Sequence, residues 1–241
     1  MARKHSRKNQ THTGPAPAGK SRSRQAAGIA ALRQQLAYEA ARIMADGQIG
    51  EFEHARRKAA ERMAVTNKAL WPDNEEIEQR LLEQQRLFGG LAQQRERHSL
   101  LEQALAAMQL FDAYAPRLVG SALAGTATRA QGITLQVFSE STEDIIWLLI
   151  DRQMPWSADQ ASFRYAGNQR LDHPVVRFLA GEVPVRIDVL PYKAQRNPPL
   201  DPVSNRPRRG ASPNRVKQLL TETERNMNPP LDDHNRHQAP D

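Results

Sequence analysis

The sequence contains no cysteine in 241 residues. That excludes disulfides, thiolate metal sites and a cysteine nucleophile. No apolar run approaches the roughly 20 residues needed to span a bilayer, and no apolar segment follows the basic start as a secretory signal requires. The expected setting is therefore the cytoplasm, with no membrane partner. There is no phosphate-cradling P-loop, dinucleotide fingerprint, nucleophile elbow or HExxH zinc motif. His98 and His173 have no partners at metal-ligand spacing, so no metal site is assigned to either. Residues 1–28 lack any acid.

The net charge of +7 follows from that last absence. Seven of the 34 lysines and arginines fall in residues 1–28 (among them Arg3, Lys4, Arg7 and Lys8), which leaves 27 to balance the 27 acids of the remainder. A balanced body therefore carries a basic arm. The arm mixes its cations with Gly, Pro, Ser and Thr and shows no periodicity, so it is expected to be disordered and to offer polynucleotide a salt-sensitive contact. Residues 221–241 carry the same signature, after a short helix near Asn214–Leu220.

Residues 29–115 follow a helical period, with Ile29, Leu32, Leu36 and Ile43 on one stripe and Phe52, Ala55, Ala59 and Met63 on a second. Asn74 is the expected N-cap after a break at Trp71-Pro72. "KAAERMAVTNKAL", Lys58–Leu70, has the outline of a helix-turn-helix, but Ala64 stands where glycine is usual and Pro72 truncates the second helix. Two packed helices are the better reading. The character changes over 116–220: strands at Leu118–Gly120 and Ile133–Phe138, a capping box opening at Ser141, then alternating strands with a tight turn at Gly181-Glu182. The fold class is α+β, a helical N-terminal half followed by a small mixed sheet.

The segment "RLVGSALAGTATRAQGITLQVF", Arg117–Phe138, bears on function. A strand ending in Gly-Ser before a short helix lets backbone N–H groups and a hydroxyl approach a phosphate without interference from a Cβ. Two acids at i and i+2 on the next strand would share a face and hold Mg²⁺ between them. Gly120, Ser121 and Gly125, with Leu135, resemble the pattern of the nucleotidyltransferase fold typified by DNA polymerase β and the minimal nucleotidyltransferases. The whole chain is also similar to bacterial nucleotidyltransferase-like proteins that join a helical half to such a domain, a resemblance covering about residues 29–220. It implies nucleotide binding at Gly120, Ser121, Gly125 and Thr134, and assigns Asp188 in "VRIDVL" as the third catalytic carboxylate.

The departures decide what chemistry is expected. Gly132 and Thr134 stand where that family places its first two acids, and one carboxylate makes a poor Mg²⁺ site. The expectation is a catalytically degenerate member that binds a nucleotide or polynucleotide phosphate without a cofactor. Arg206, Arg208 and Arg209 belong to a proline-interleaved basic stretch beside the site and are candidate nucleic-acid contacts. Two alternatives stay open. One is an active Mg²⁺-dependent transferase using recruited acids, for which Glu140 and Asp144 are the nearby candidates. The other is a helical nucleic-acid-binding or adaptor protein with a protein partner on its helical half.

Overall fold

The computed structural model describes residues 18–46, 51–88 and 90–228. The basic residues Arg3, Lys4, Arg7 and Lys8 lie outside them, as does the tail beyond 228. Among the described residues no helix is long and apolar enough to cross a membrane.

Three helices, α1 (Ala18–Ala45), α2 (Phe52–Arg62) and α3 (Asn74–Phe88), form the N-terminal unit. Its core is small: Leu36, Ala40, Ile43 and Met44 of α1 meet Ala55 and Ala59 of α2 and Ile77 and Leu81 of α3. Alanines at the α1–α2 contact let the two helices approach closely. Helix α1 starts at Ala18, inside the span expected to be unordered. A helix packed from Leu32 onward propagates backward at little cost through "SRQAAGIAA", whose residues are mostly good helix formers. Its packing stops sooner: residues 24–31 are exposed, and Ile29 is 45% exposed despite its place on the stripe.

The helix-turn-helix outline does not materialise. Helix α2 is followed by a turn through Ala64, at φ 54°, and then by a single 3-10 turn at Lys68–Leu70. The cap of α3 also differs from expectation. Asp73, not Asn74, is the capping residue: its Oδ1 accepts from the Glu76 N–H at 2.9 Å, and Glu76 Oε2 accepts from the Asp73 N–H at 2.8 Å. This is a capping box with Asp in the serine position. Arg33 of α1 donates to Glu76 at 2.7 Å and so ties the box to the first helix. Asn74 instead donates to the Pro202 carbonyl at 2.9 Å, linking the helical unit to a distant loop.

The sheet unit holds five strands, β1 (Arg117–Val119), β2 (Ile133–Phe138), β3 (Trp156–Arg164), β4 (Arg170–Ala180) and β5 (Val183–Leu190), in the order β1-β2-β5-β4-β3. Only β2 and β5 run parallel; the other pairs are antiparallel. Alternation assigns one face to the core: Ile133, Leu135 and Val137 on β2 with Val185, Ile187 and Val189 on β5. That face is covered by α4 (Gly90–Leu110), α6 (Thr142–Asp151) and α7 (Pro213–Met227), with the four-residue α5 (Ser121–Ala124) at one end. By packing, α4 thus belongs to the sheet unit, and the boundary expected at 115/116 falls near residue 89.

The last hairpin forms as expected, and at α6 the capping box forms by half: Ser141 caps the helix, but its own N–H donates to Ser139 Oγ and not to Asp144. Ser141 Oγ accepts from the Asp144 N–H, and Gly181 takes the positive φ the turn needs. Helix α7 extends seven residues past Leu220 to Met227 because its partner α4 continues beside it. Thr223 is buried and Glu224 meets His98 at 3.2 Å.

The identity of the α3 cap is testable. Asp73→Ala removes the box and should lower stability to urea by about 0.5–2 kcal/mol. Asn74→Ala, which leaves the box intact and removes the bond to Pro202 and the one accepted from Arg56, should cost less. The reverse order would return the cap to Asn74.

Candidate anion-binding cleft

Residues on the second sheet face follow from the same alternation. Thr134 and Gln136 of β2 lie beside Arg186 and Asp188 of β5, in register Thr134↔Arg186 and Gln136↔Asp188. Asp188 is wholly buried. A carboxylate in that position needs cations, and the fold supplies two. Arg186, two residues back on the same strand, donates to Asp188 Oδ1 at 2.7 Å. Arg208, on the loop after β5, places Nη1 3.7 Å from Asp188 Oδ2 and Nε 3.3 Å from Asp201 Oδ2. Burial pushes the Asp188 carboxyl above its ordinary value against the pull of Arg186 and then Arg208. Burial likewise pulls the Arg208 guanidinium down, opposed by Asp188 and Asp201. Oδ2 of Asp188 and both amide atoms of Gln136 make no hydrogen bond among the described residues.

Gly120 explains how Arg208 reaches this position. It has φ +73°, and a Cβ there would sit 2.9 Å from Arg208 Nη2 and 4.0 Å from Thr134 Cβ. Gly120, Thr134 and Asp188 therefore do converge, and the group between them is an arginine side chain. Ser121 lines the adjoining cleft and its hydroxyl makes no hydrogen bond among the described residues. Gly125 is not part of the cleft lining. It ends α5 in the left-handed conformation and leaves room for the Arg97 guanidinium, 3.1 Å from its would-be Cβ.

The acid positions behave unlike those of a cation site. Gly132 adopts φ +71°, and a Cβ on it would lie 2.0 Å from the Pro184 carbonyl oxygen. An aspartate cannot stand there on this backbone. Glu140 and Asp144 follow the C-terminal end of β2, whereas Thr134 is near its start, so neither reaches the site. Glu140 instead accepts from the Tyr192 N–H at 3.0 Å. Among the described residues no three acidic or histidine side chains gather in a way that could hold a metal ion.

The cleft has two lobes that share Thr134, Pro202 and Arg208. The larger, about 670 Å³, runs between the helical unit and the sheet past Ser121, and holds Glu51, Glu53, Glu78 and Asp201. Burial, and then Asp201 and Glu75, hold the Glu78 carboxyl above its ordinary value. The smaller, about 450 Å³, is lined by Arg164, Arg170, Arg186 and Arg208 and by no carboxylate. Arg206 and Arg209 are exposed on the same loop. Sequence reasoning missed Arg164, Arg170, Arg186 and Glu78. Arg186 was accessible to it, since residues i and i+2 of a strand share a face, but the other three come together only through tertiary folding. No family model matches the chain, and no curated protein or solved structure matches it.

Two measurements check this geometry. Gly132→Ala should destabilise the protein by about 3 kcal/mol, from the positive φ and the clash with Pro184. A neutral Gly132→Ala would mean the strand register is wrong. For Glu78 the folded pKa is raised, so the folded state holds the extra proton and stability falls as pH climbs from the ordinary value of 4.5 through the folded value. Glu78→Gln should match wild type below that window and be the more stable protein above it. Equal stability of the two at all pH values would show that Glu78 carries no such penalty.

Proposed function

We propose that the chain is a nucleotidyltransferase-like protein that lacks metal-dependent transfer chemistry and binds a nucleotide or polynucleotide phosphate in the cleft beside Ser121 and Thr134. One observation carries the reading. Arg208 lies between the Gly120 turn and Asp188, and the resemblance implies a divalent cation beside that carboxylate. Asp188 is already compensated by Arg186 and Arg208, so a metal ion would have to displace protein cations from a buried carboxylate. With glycine at 132 and a hydroxyl at 134, no second carboxylate bridges to it.

The same arginine offers phosphate a fixed, metal-independent partner. Helix α5 has only four residues and supplies little dipole. Attraction for an anion then comes from guanidinium groups, with the Ser121 hydroxyl giving one further hydrogen bond. Exposed Arg206 and Arg209 extend the positive surface toward a longer polynucleotide. A second reading, docking of a protein partner on the helical half, is favoured by the exposed Leu82, Leu87 and Leu91 near the α3–α4 junction.

The test is calorimetric titration with ATP in the presence and absence of a chelator. Binding should be the same in both, and Ser121→Ala should weaken it by about 0.5–1.5 kcal/mol. Chelator-sensitive binding, or nucleotide incorporation dependent on Mg²⁺, would restore the enzyme reading. Gly120→Val is a poorer probe than Ser121→Ala, because its side chain would collide with Arg208 whether or not a ligand is present.

A further inference from the structure

Arg164 and Arg170 are the last pair of the β3–β4 ladder and stand directly opposite one another. Like charges in that relation repel. A second such pair, Arg177↔Arg186, lies further along the sheet, and each member has its own acid: Asp159 at 3.5 Å from Arg177 and Asp188 at 2.7 Å from Arg186. The terminal pair has none. Arg164 donates to Asn205 Oδ1, a neutral acceptor, and the Arg170 side chain makes no hydrogen bond or ion pair with another described residue. Both open into the 450 Å³ lobe, whose remaining walls include the apolar Phe163 and Leu200. Arg164 is half-buried beside these walls, which weakens solvent screening of its charge, whereas Arg170 is exposed.

We infer that this lobe is a binding site for an oligophosphate, a linear chain of two or three phosphates, either free or as the tail of a nucleotide. Arg170 lies seven residues along β4 from Arg177, the register partner of Arg186. Arg164 and Arg170 come from the last pair of the β3–β4 ladder, Arg186 from β5 and Arg208 from the loop after it, and all four line the lobe. Four guanidiniums line the lobe, each able to take two phosphate oxygens, which is more than a single phosphate offers and suits a chain of phosphates. Planar guanidiniums suit this ligand because each can take two phosphate oxygens at once. The lobe shares Thr134 and Arg208 with the cleft beside the Gly120–Ser121 turn but is not lined by Ser121, so loss of the Ser121 hydroxyl distinguishes the two.

The experiment uses the full chain and inorganic tripolyphosphate as the probe, with ATP and a single-stranded oligonucleotide as parallel arms. Tripolyphosphate should bind saturably, Arg170→Ala should weaken it about tenfold, and Arg170→Lys should recover part of the loss. Ser121→Ala should leave tripolyphosphate binding unchanged, which separates this site from the turn. ATP binding more tightly than tripolyphosphate, with the same dependence on Arg170, identifies a nucleotide tail; equal affinities identify free oligophosphate. Without ligand, Arg170→Ala should melt at the wild-type temperature or above it, since it removes a repulsion. The proposal is overturned if tripolyphosphate does not saturate, if Arg170→Ala binds it as wild type does, or if that variant melts lower without ligand. It is also overturned if the oligonucleotide binds through Arg170 while tripolyphosphate does not, which would make the lobe a polynucleotide surface.

Discussion

A carboxylate buried in the middle of a sheet sets the terms for everything around it. Asp188 has no access to water, so its charge must be met by the protein. Arg186 comes with the strand. Arg208 must be brought by the loop that follows β5, and the path of that loop is fixed accordingly. Its backbone bonds to the end of β3 through Leu200 and Arg164, closes on itself between Pro199 and Arg208, and rejoins β1 at Ala211. The loop then holds the helical unit through the Pro202 carbonyl and Asn74. Such a buried ion cluster contributes little net stability, because desolvation offsets much of the attraction. Its effect is on geometry: the loop, the cleft floor and the approach of the two units all depend on one acid finding two bases.

Much of the fold was legible because local chemistry and tertiary demand agreed. The helix cap at Ser141, the turn at Gly181 and the alternation in "VPVRIDVL" each state their structure within a few residues. Misreadings arose where a local signal had a competitor one position away or a partner far along the chain. Asn74 and Asp73 are both good caps, and only the reciprocal bond with Glu76, held by Arg33, decides between them. Helix α7 looked finished at Leu220 because its last turns are polar; α4 lying alongside keeps them helical. The unit boundary was displaced because α4 has the same helical period as α1–α3 and gives no sign in sequence of which core it joins.

The site was legible in outline only. The glycine before α5, the serine that begins it and the acid on β5 were recognisable by spacing; Gly120 and Asp188 both lie against Arg208. What lies between them was not legible. Arg208 appeared in sequence as one cation in a proline-rich basic stretch, with nothing to distinguish it from exposed Arg206 and Arg209. Gly132 appeared to be an acid replaced by a small residue. In the structure it is a position where the Pro184 carbonyl leaves space for hydrogen alone, so the backbone and not merely the side chain differs from what a cation cage requires.

The sole parallel ladder, β2 with β5, divides the sheet unit in another respect. β1 with β2 is joined by a short helical turn, and β3, β4 and β5 form a meander with tight connections, so each group can pair locally. The seam between them closes over α6, β3 and β4 and carries the greater share of chain entropy lost on assembly. Thr134 belongs to one side of that seam, and Arg186 and Asp188 to the other. The cleft therefore has no existence in either part of the chain alone. It comes into being when the slowest pairing is complete, and occupancy by an anion would report that the sheet has closed.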